Sequence, residues 1–344
     1  MAEKMTSMER VFAVINGDDF DVYPAINPTS VATVEAMKLS GAYFPAAHTD
    51  PEKMASLARV GRDVFGFDSV SPYFSILLEA AALGAEVDWG NIYEMPSVIK
   101  KPIKNPEEYE VPKNFLDRAE FSGLIKVCSE LKKKYKNEVP VIGKVIGPWS
   151  LAYHLYGVEN LVLDMILEPE KTAEFINRLS EVPFAFAKAQ FEAGADMLVW
   201  ADHVTSDLVS SEIYRKFIMP IHKKAASSLQ KYGPIILHTC GNVSDRLMYI
   251  AETGFKIFHM DSKNNIGDSV KLVGNNMLIT GCINNPVLLA QGDPPDVKRA
   301  VEENIHQGIK LISPECAIPF SVPSENLMAL TASAHNTCFG YSPH

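Results

Sequence analysis

Short aliphatic runs alternate along this chain with segments whose apolar residues recur at helical spacing, and this alternation constrains the fold more than any other feature. The runs, interpreted as buried strands, lie at residues 22–26, 69–71, 139–146, 197–200, 235–238, 257–260, 277–281 and 309–313. About eight strand-then-helix units in 344 residues predict an α/β fold, the closed (β/α)8 barrel of the TIM type. A doubly wound open sheet is the alternative, but no Gly-x-Gly-x-x-Gly follows the first strand to support it.

We expect a single barrel domain over residues 1–344, because no linker or low-complexity stretch divides the chain. Its N-terminal helix is predicted to start at a capping box formed by Thr6 and Glu9 and to end at Gly17. Helical spacing is also clear at residues 211–232 and 296–307. The segment from about 85 to 113, rich in proline, interrupts the alternation and is interpreted as an excursion over the barrel mouth.

Composition excludes several classes of protein. A net charge of −10 and a pI near 5.4 argue against a nucleic-acid partner, for which a basic face would be expected. No apolar stretch approaches the roughly 18 residues of a membrane span, so no membrane partner is expected. The first residues carry no apolar signal core, and an odd count of five cysteines fits reduced thiols better than a disulfide framework. These features predict a cytoplasmic enzyme.

Three metal-binding residue types follow two of the aliphatic runs. His238 and Cys240 end the run at 235–238, and Cys316 follows the run at 309–313. In a barrel the strand ends meet at one rim, so we expect these side chains to converge. An imidazole and two thiolates suit zinc, and three protein ligands leave a fourth position open, as in catalytic zinc sites. Cys282 is a rival third ligand that spacing alone does not exclude, and a buried core histidine with packed cysteines is the structural alternative.

The chain resembles the uroporphyrinogen decarboxylase-like barrels and, within them, the methylcobalamin:coenzyme M methyltransferases of methanogenic archaea. The resemblance covers nearly the whole chain. It rests on Glu-Arg-Val at 9–11, Asp-Val-Tyr-Pro at 21–24, Gly-Lys-Val-Ile-Gly-Pro at 143–148, Gly-Ala-Asp-Met at 194–197 with Asp202, His-Thr-Cys-Gly at 238–241, Gly-Cys-Ile-Asn-Asn-Pro at 281–286, and Cys316 followed by Pro-Ser-Glu-Asn at 323–326.

The resemblance implies both a site and a reaction. The methyltransferase branch uses a His-x-Cys…Cys zinc site, which carries over onto His238, Cys240 and Cys316 and favours Cys316 over Cys282. The implied activity is transfer of a methyl group from a methylated corrinoid to the thiol of coenzyme M in methanogenesis. The corrinoid would be presented as methylcobalamin or on a separate corrinoid protein. The match is closer to the methanol-pathway enzyme, with the methylamine-pathway enzyme as the alternative.

Other polar residues at strand ends are candidates for the rest of the site. Asp202, Asp261 and Glu315 are candidates for an oxygen ligand in the fourth position, and the two aspartates are the predicted catalytic residues. Asn27 and Lys144 are predicted to bind the sulfonate of coenzyme M, because both offer hydrogen-bond donors. Each of these residues has a structural alternative, since polar side chains often satisfy backbone groups where strands meet loops.

Two other functions remain open. A decarboxylase or other lyase of the same fold is one, but the chain has no arginine between Arg10 and Arg59, where decarboxylases of the family carry an arginine-rich segment that holds the substrate carboxylates. A non-enzymatic protein that docks a corrinoid carrier and holds a structural zinc is the other. The first predicts indifference to metal, and the second predicts a closed site with four ligands.

Overall fold

A curled parallel sheet forms the centre of the structure, a computed structural model that describes residues 4–338. The predicted domain boundaries at 1 and 344 lie outside the described residues. The sheet has the order β3-β4-β5-β6-β7-β8, and a separate antiparallel hairpin pairs β1 with β2. The strands are β1 (Glu86–Asp88), β2 (Ser97–Lys100), β3 (Ile142–Ile146), β4 (Met197–Ala201), β5 (Ile235–Thr239), β6 (Ile257–Met260), β7 (Leu278–Ile283) and β8 (Ser313–Pro314).

Two irregular segments complete the barrel between β8 and β3. Ala25 forms a parallel bridge to Ile312, and Val70 forms one to Val141. The two segments are joined by the backbone hydrogen bond from Asp68 N to Ala25 O, at 2.6 Å. The six parallel strands and these two segments therefore form a closed barrel with eight strand positions. The predicted α/β barrel is confirmed.

The predicted strands at 22–26 and 69–71 are wrong in extent, because each is reduced to single bridges. Proline explains part of this difference, since Pro24 and Pro72 have no N–H to donate to a ladder. Two further backbone N–H groups donate to side chains. Ala25 N donates to Asp68 Oδ2 at 3.0 Å, and Asn27 N donates to Ser69 Oγ at 2.9 Å. The first barrel strand is thus held partly by side chains instead of a backbone ladder.

Helices surround the sheet. They are α1 (Ser7–Asn16), α2 (Val34–Ser40), α3 (Pro51–Asp63), α4 (Leu78–Ala82), α5 (Ala119–Tyr135), α6 (Pro148–Tyr156), α7 (Val158–Leu167), α8 (Pro169–Leu179), α9 (Glu181–Glu192), α10 (Ser211–Ile213), α11 (Met219–Leu229), α12 (Leu247–Ala251), α13 (Ile266–Val273), α14 (Pro294–His306) and α15 (Ser324–His335). Short 3₁₀ turns lie at Ala46–His48, Phe115–Asp117 and Gly274–Asn276, and π turns at Tyr214–Ile218 and Asn285–Leu289. Within the described part of the chain, no helix has the length and apolarity to cross a membrane.

Local sequence signals explain the ends of α1. The Thr6 hydroxyl accepts from the backbone of Glu9, the Glu9 carboxylate accepts from the backbone of Thr6, and Gly17 ends the helix at a φ of 80°. The predicted capping box and glycine stop are therefore confirmed. The helical segment predicted at 211–232 is interrupted by the π turn between α10 and α11, and the one predicted at 296–307 corresponds to α14.

The predicted excursion at 85–113 contains the β1–β2 hairpin. Its connection back to the barrel includes a backbone bond from Ile103 N to Leu155 O at the end of α6. The Trp89 ring lies 5.7 Å from that of His48, which itself stacks on Phe44 at 3.7 Å. The tip of the hairpin is exposed, with Tyr93 at 71%. The packing of Trp89 on His48 thus anchors the loop of the hairpin.

Asp68 is a buried carboxylate that joins four parts of the chain. It accepts hydrogen bonds from Ser7 Oγ at 2.5 Å, Arg10 Nη1 at 3.0 Å, Ala25 N and His335 Nε2 at 2.6 Å. Burial alone would raise the pKa of this carboxyl, but the bonds from His335, Ser7 and Ala25 outweigh burial and hold the pKa below its usual value. The carboxylate of Asp68 therefore links helix α1, the two irregular barrel segments and helix α15.

We predict that Asp68→Asn lowers the free energy of unfolding at pH 7 by about 1–3 kcal/mol, because it weakens the charged hydrogen bonds from Arg10 and His335 while Arg10 keeps its pair with Asp21. Glu252→Gln removes an exposed pair with Lys223 at 4.0 Å and should cost less than about 1 kcal/mol. Because the folded-state pKa of Asp68 is lowered, its contribution is complete above the unfolded value of about 4 and is lost as pH falls through the folded pKa. Urea unfolding between pH 7 and pH 3 measures both effects, and equal costs for the two variants would contradict the assignment.

Candidate metal centre

His238, Cys240 and Cys316 converge at the carboxyl rim of the barrel. The Sγ atoms of the two cysteines lie 3.2 Å apart, and Cys316 Sγ lies 3.7 Å from His238 Nε2. The three ligand atoms all lie within 4.8 Å of one another. His238 is the fourth residue of β5, and Cys316 follows the end of β8 by two residues. The predicted convergence of residues 78 positions apart is therefore observed.

A sharp turn directly after Cys240 allows its thiol to face the other two ligands. Gly241 has a φ of +98°, in the left-handed region that favours glycine, and a Cβ there would approach Thr205 Cγ2 to 3.0 Å. The Gly241 amide donates to Asp261 Oδ2 at 2.8 Å, which fixes the turn. A side chain at position 241 would therefore disturb the cysteine beside it.

The donor set and its spacing fit zinc. Tetrahedral zinc with bonds of about 2.3 Å to sulfur and 2.0–2.1 Å to nitrogen places two sulfurs about 3.8 Å apart and sulfur about 3.6 Å from nitrogen. The observed Sγ to Nε2 distance of 3.7 Å agrees, and the Sγ to Sγ distance of 3.2 Å requires a small outward movement of one thiol. Among the described residues the cluster has three members, which leaves a tetrahedral ion one further position.

A hydrogen bond on the far side of the His238 ring fixes its orientation. His238 Nδ1 lies 3.2 Å from the backbone oxygen of His259. A carbonyl oxygen only accepts, so Nδ1 carries the proton and Nε2 presents its lone pair to the thiols. This tautomer is the one a metal ligand needs.

The two thiols share one negative charge more readily than they carry two. The bond from Cys240 and that from His238 hold the pKa of Cys316 well below its usual value. The same contact with Cys316, together with burial, raises the pKa of Cys240. A cation at this position would stabilise both thiolates. The electrostatics of the pair therefore favour a bound metal.

The three carboxylates expected near the fourth position are engaged elsewhere. Asp202 Oδ1 accepts from Ser150 N at 2.8 Å, and Oδ2 lies 3.1 Å from His222 Nε2. Asp261 accepts from Gly241 N, and Glu315 accepts from the backbone amides of Asn285 at 2.8 Å and Ser262 at 2.9 Å. The described structure brings none of the three into the His-Cys-Cys cluster, and Cys282 also lies outside it.

A cavity of about 230 Å³ lies in front of the cluster. Its walls include Asp202 and His203 after β4, Ile146 at the end of β3, and Tyr153 and His154 on α6. Burial lowers the pKa of His203 and lowers that of His154 to about 4, so both imidazoles are neutral at pH 7. Sequence reasoning missed Tyr153 and His154, because they lie within a helix and follow no strand directly.

Lys144, a predicted sulfonate-binding residue, is buried and lies outside the cavity wall. Its side chain is 4% exposed, and its Nζ lies 4.5 Å from the centre of the Tyr73 ring. Among the described residues it has no hydrogen-bond acceptor or ion-pair partner. Burial lowers its pKa to about 8, against the opposing effect of Cys316 and Glu79. Lys144 precedes the cavity-wall residue Ile146 by two positions on β3. Its backbone therefore lies about 7 Å deeper in the barrel than that of Ile146.

Asn27, the other predicted sulfonate-binding residue, is buried, and within residues 4–338 its side chain makes one long contact. Its Oδ1 lies 3.4 Å from Thr29 Oγ1, while its backbone amide donates to Ser69. The structure does not bring Asn27 into the cavity wall.

Glu79 and Tyr73 form a second buried pair that sequence reasoning missed. Glu79 Oε1 accepts from Ile146 N at 2.8 Å, and the Tyr73 hydroxyl donates to the same carboxyl group. Burial raises the pKa of Glu79 to about 7. The available signal was a lone carboxylate in the apolar run of residues 77–83, which becomes α4. The pair holds the carboxyl end of β3 and lies under the Lys144 ammonium.

Known proteins resemble this chain over nearly its whole length. The sequence model of the family described as uroporphyrinogen decarboxylase (URO-D) matches residues 6–337. The methylcobamide:CoM methyltransferase MtbA of Methanosarcina acetivorans is 34% identical over 334 residues, 96% of this chain and 98% of that protein. A methylated-thiol–coenzyme M methyltransferase of Methanosarcina mazei is 32% identical and covers 98% of this chain and 91% of its own length. The solved structure of a methyltransferase from Methanosarcina mazei matches with a TM-score of 0.92 at 29% identity, over 96% of this chain and 98% of that one.

We predict that Cys316→Ala folds but binds zinc more weakly, by more than the roughly 10–100-fold typical of losing a partner outside the ligand set. Cys282→Ala is the matched control, because this buried thiol lies outside the cluster and should leave zinc affinity unchanged. Competition with a chromophoric chelator measures both affinities, and circular dichroism checks folding. If Cys282→Ala lost zinc and Cys316→Ala retained it, the rival ligand assignment would be correct. Unfolding of Cys316→Ala on metal loss would instead indicate a structural site.

Proposed function

The chain belongs to the uroporphyrinogen decarboxylase family and is a methyltransferase within it, and we propose that it transfers a methyl group from a methylated corrinoid to the thiol of coenzyme M. The observation that carries this proposal is the cluster of His238, Cys240 and Cys316 beside a cavity. Three ligands leave one tetrahedral position for a substrate sulfur, which a structural site with four ligands lacks.

His238, Cys240 and Cys316 would hold zinc through Nε2 and the two Sγ atoms. When bound, zinc supplies a charge that lowers the pKa of a substrate thiol, so that the nucleophilic thiolate exists at neutral pH. The His238 tautomer fixed by the His259 carbonyl keeps Nε2 available for this role. Two thiolate ligands also leave the site rich in electron density, which supports a nucleophilic sulfur.

The proposed reaction is balanced as a transfer between substrates. The thiol of coenzyme M loses its proton, and a sulfur lone pair forms the new S–CH₃ bond. The Co–CH₃ bond breaks, and its electron pair remains on cobalt, which passes from Co(III) to Co(I). The products are methyl-coenzyme M and the Co(I) corrinoid, with one proton released.

The cavity supports binding of a small thiol. Neutral His154 and His203 and the Tyr153 ring add no full charge to its wall. Lys144 is proposed to attract the sulfonate, because within the described residues this buried ammonium has no hydrogen-bond acceptor or ion pair and therefore favours an anionic ligand. Asn27 remains a second proposed donor, supported by its burial and its weak existing contact.

Asp202 and Asp261 are proposed to act on the site through their neighbours. Asp202 accepts from Ser150 in α6, which carries the cavity residues Tyr153 and His154. Asp261 accepts from the amide beside Cys240. These contacts support positioning of the cavity wall and of one ligand.

The methyl acceptor is better supported than the donor. The names of the two relatives share coenzyme M, whereas one names a methylated cobamide and the other a methylated thiol. We favour a corrinoid donor, carried by a separate corrinoid protein, because of the sequence resemblance. Its pathway, with methanol preferred over methylamine, and a cytoplasmic location stay predictions.

An anoxic absorbance assay with methylcobalamin and coenzyme M tests the proposed function. We expect loss of the methyl-cobalt spectrum that depends on the thiol, disappears on metal removal and returns with zinc. The metal-stripped protein is the control for catalysis by other groups, and circular dichroism confirms that it stays folded. Unchanged activity after complete metal removal would overturn the zinc dependence. No transfer by folded, zinc-loaded protein from either methylcobalamin or a methylated corrinoid protein would overturn the proposed donor.

We predict that Lys144→Met raises the KM for coenzyme M by roughly 10- to 100-fold, because a hydrogen bond to a charged group contributes about 1.5–3 kcal/mol. Its pKa of about 8 predicts that the parent KM rises as pH increases past 8 and the ammonium loses its proton. The Met variant should lack this dependence. Ethanethiol, which has no sulfonate, serves as the control substrate and should react equally with both proteins. Equal KM values for coenzyme M in parent and variant would contradict the assignment.

A further inference from the structure

We propose that His259 is a positioning residue that fixes two of the three metal ligands, His238 and Cys316, relative to each other. The inference rests on the proposed metal centre. His259 lies in the middle of β6, is fully buried, and belongs to neither the ligand cluster nor the cavity wall. Its contacts nevertheless reach the strands that carry both ligands.

The first contact is with His238. The two residues are paired in register between β5 and β6, and His259 O accepts from His238 Nδ1 at 3.2 Å. Their rings lie 4.5 Å apart at an angle of 35°. The backbone of His259 therefore sets the tautomer of the ligand, and its ring limits the rotation of the ligand ring.

The second contact reaches across the barrel to β8. His259 Nε2 lies 2.6 Å from Pro314 O, although β7 stands between β6 and β8 in the sheet. A carbonyl oxygen only accepts, so Nε2 is the protonated nitrogen and donates this bond. Pro314 precedes Cys316 by two residues, and β8 pairs with β7 over only two positions. The side-chain bond thus supplements a short ladder next to a ligand.

Together the two contacts form a brace inside the barrel. One residue holds the ring of His238 and the strand end that leads to Cys316, and the spacing between these ligands is 3.7 Å, close to that of a tetrahedral zinc site. Without the brace, Cys316 would be free to shift relative to His238. Zinc affinity and coordination geometry are therefore the properties that should respond to a change at position 259.

His259→Phe keeps a ring of similar shape but removes the donor to Pro314 O, whereas His259→Gln offers an amide N–H at nearly the position of Nε2. We expect zinc affinity to fall by roughly 10–100-fold in the Phe variant and to be largely restored in the Gln variant. Affinity is measured by competition with a chromophoric chelator. The visible spectrum of the cobalt(II)-substituted proteins reports the geometry, and we expect it to differ from the parent in the Phe variant alone.

Thr280→Val is the matched control for loss of a buried bond to β8 and the residues before it, because Thr280 Oγ1 donates to Leu311 O at 2.6 Å and lies 2.9 Å from Ser313 Oγ, without touching a ligand. It should lower stability while leaving zinc affinity and the cobalt spectrum unchanged. If the Phe variant does not fold, His259→Asn replaces it, since its shorter amide does not reach Pro314 O.

Parent-like zinc affinity and cobalt spectrum in a folded Phe or Asn variant would overturn the proposal, as would an equal loss of zinc affinity in Thr280→Val. Failure of the proposed function is distinguishable from these outcomes. A parent that binds zinc but transfers no methyl group would overturn the methyl transfer and leave the comparison at position 259 intact. A folded parent that binds no zinc would overturn both.

Discussion

Closure of the parallel barrel is the constraint on which the rest of the structure depends. A closed sheet brings all strand ends to one rim, so residues 78 positions apart in sequence lie within contact distance. The closure is weakest between β8 and β3, where single bridges replace continuous ladders. Asp68 compensates there by accepting from the backbone of the first strand and from helices at both ends of the chain. A buried charge network thus holds the part of the barrel where the backbone ladders are shortest.

The contacts of Arg10, which belongs to this network, indicate which class of substrate the barrel suits. Its guanidinium bonds to Asp21 at 2.6 Å and to Asp68 at 3.0 Å, so both carboxylates that it contacts belong to the protein. The next arginine in sequence is Arg59. A substrate with several carboxylates would need bidentate partners that this part of the chain does not supply. A buried lysine beside a thiol-rich cluster instead suits a small anionic thiol.

Sequence patterns predicted those parts of the molecule that depend on local or periodic signals. Aliphatic runs located β3 to β7 to within a few residues, and the capping box at Thr6 fixed the start of α1. The ligand cluster was predictable because residue type, strand position and family resemblance agreed at the same three residues. The extent of the two irregular barrel segments near residues 25 and 70 was not predictable, because side chains of Asp68 and Ser69 replace backbone partners there. Glu79 was missed for a similar reason, since its importance comes from a contact with Ile146 that no local pattern reveals.

We propose that His238, Cys240 and Cys316 hold zinc and leave one position for a substrate thiol. X-ray absorption at the zinc edge, recorded with and without coenzyme M, counts the sulfur atoms around the metal. We expect two sulfur neighbours in the free protein and three when coenzyme M is present. An unchanged sulfur count on addition of the thiol, or a site already filled by four protein ligands, would overturn this assignment.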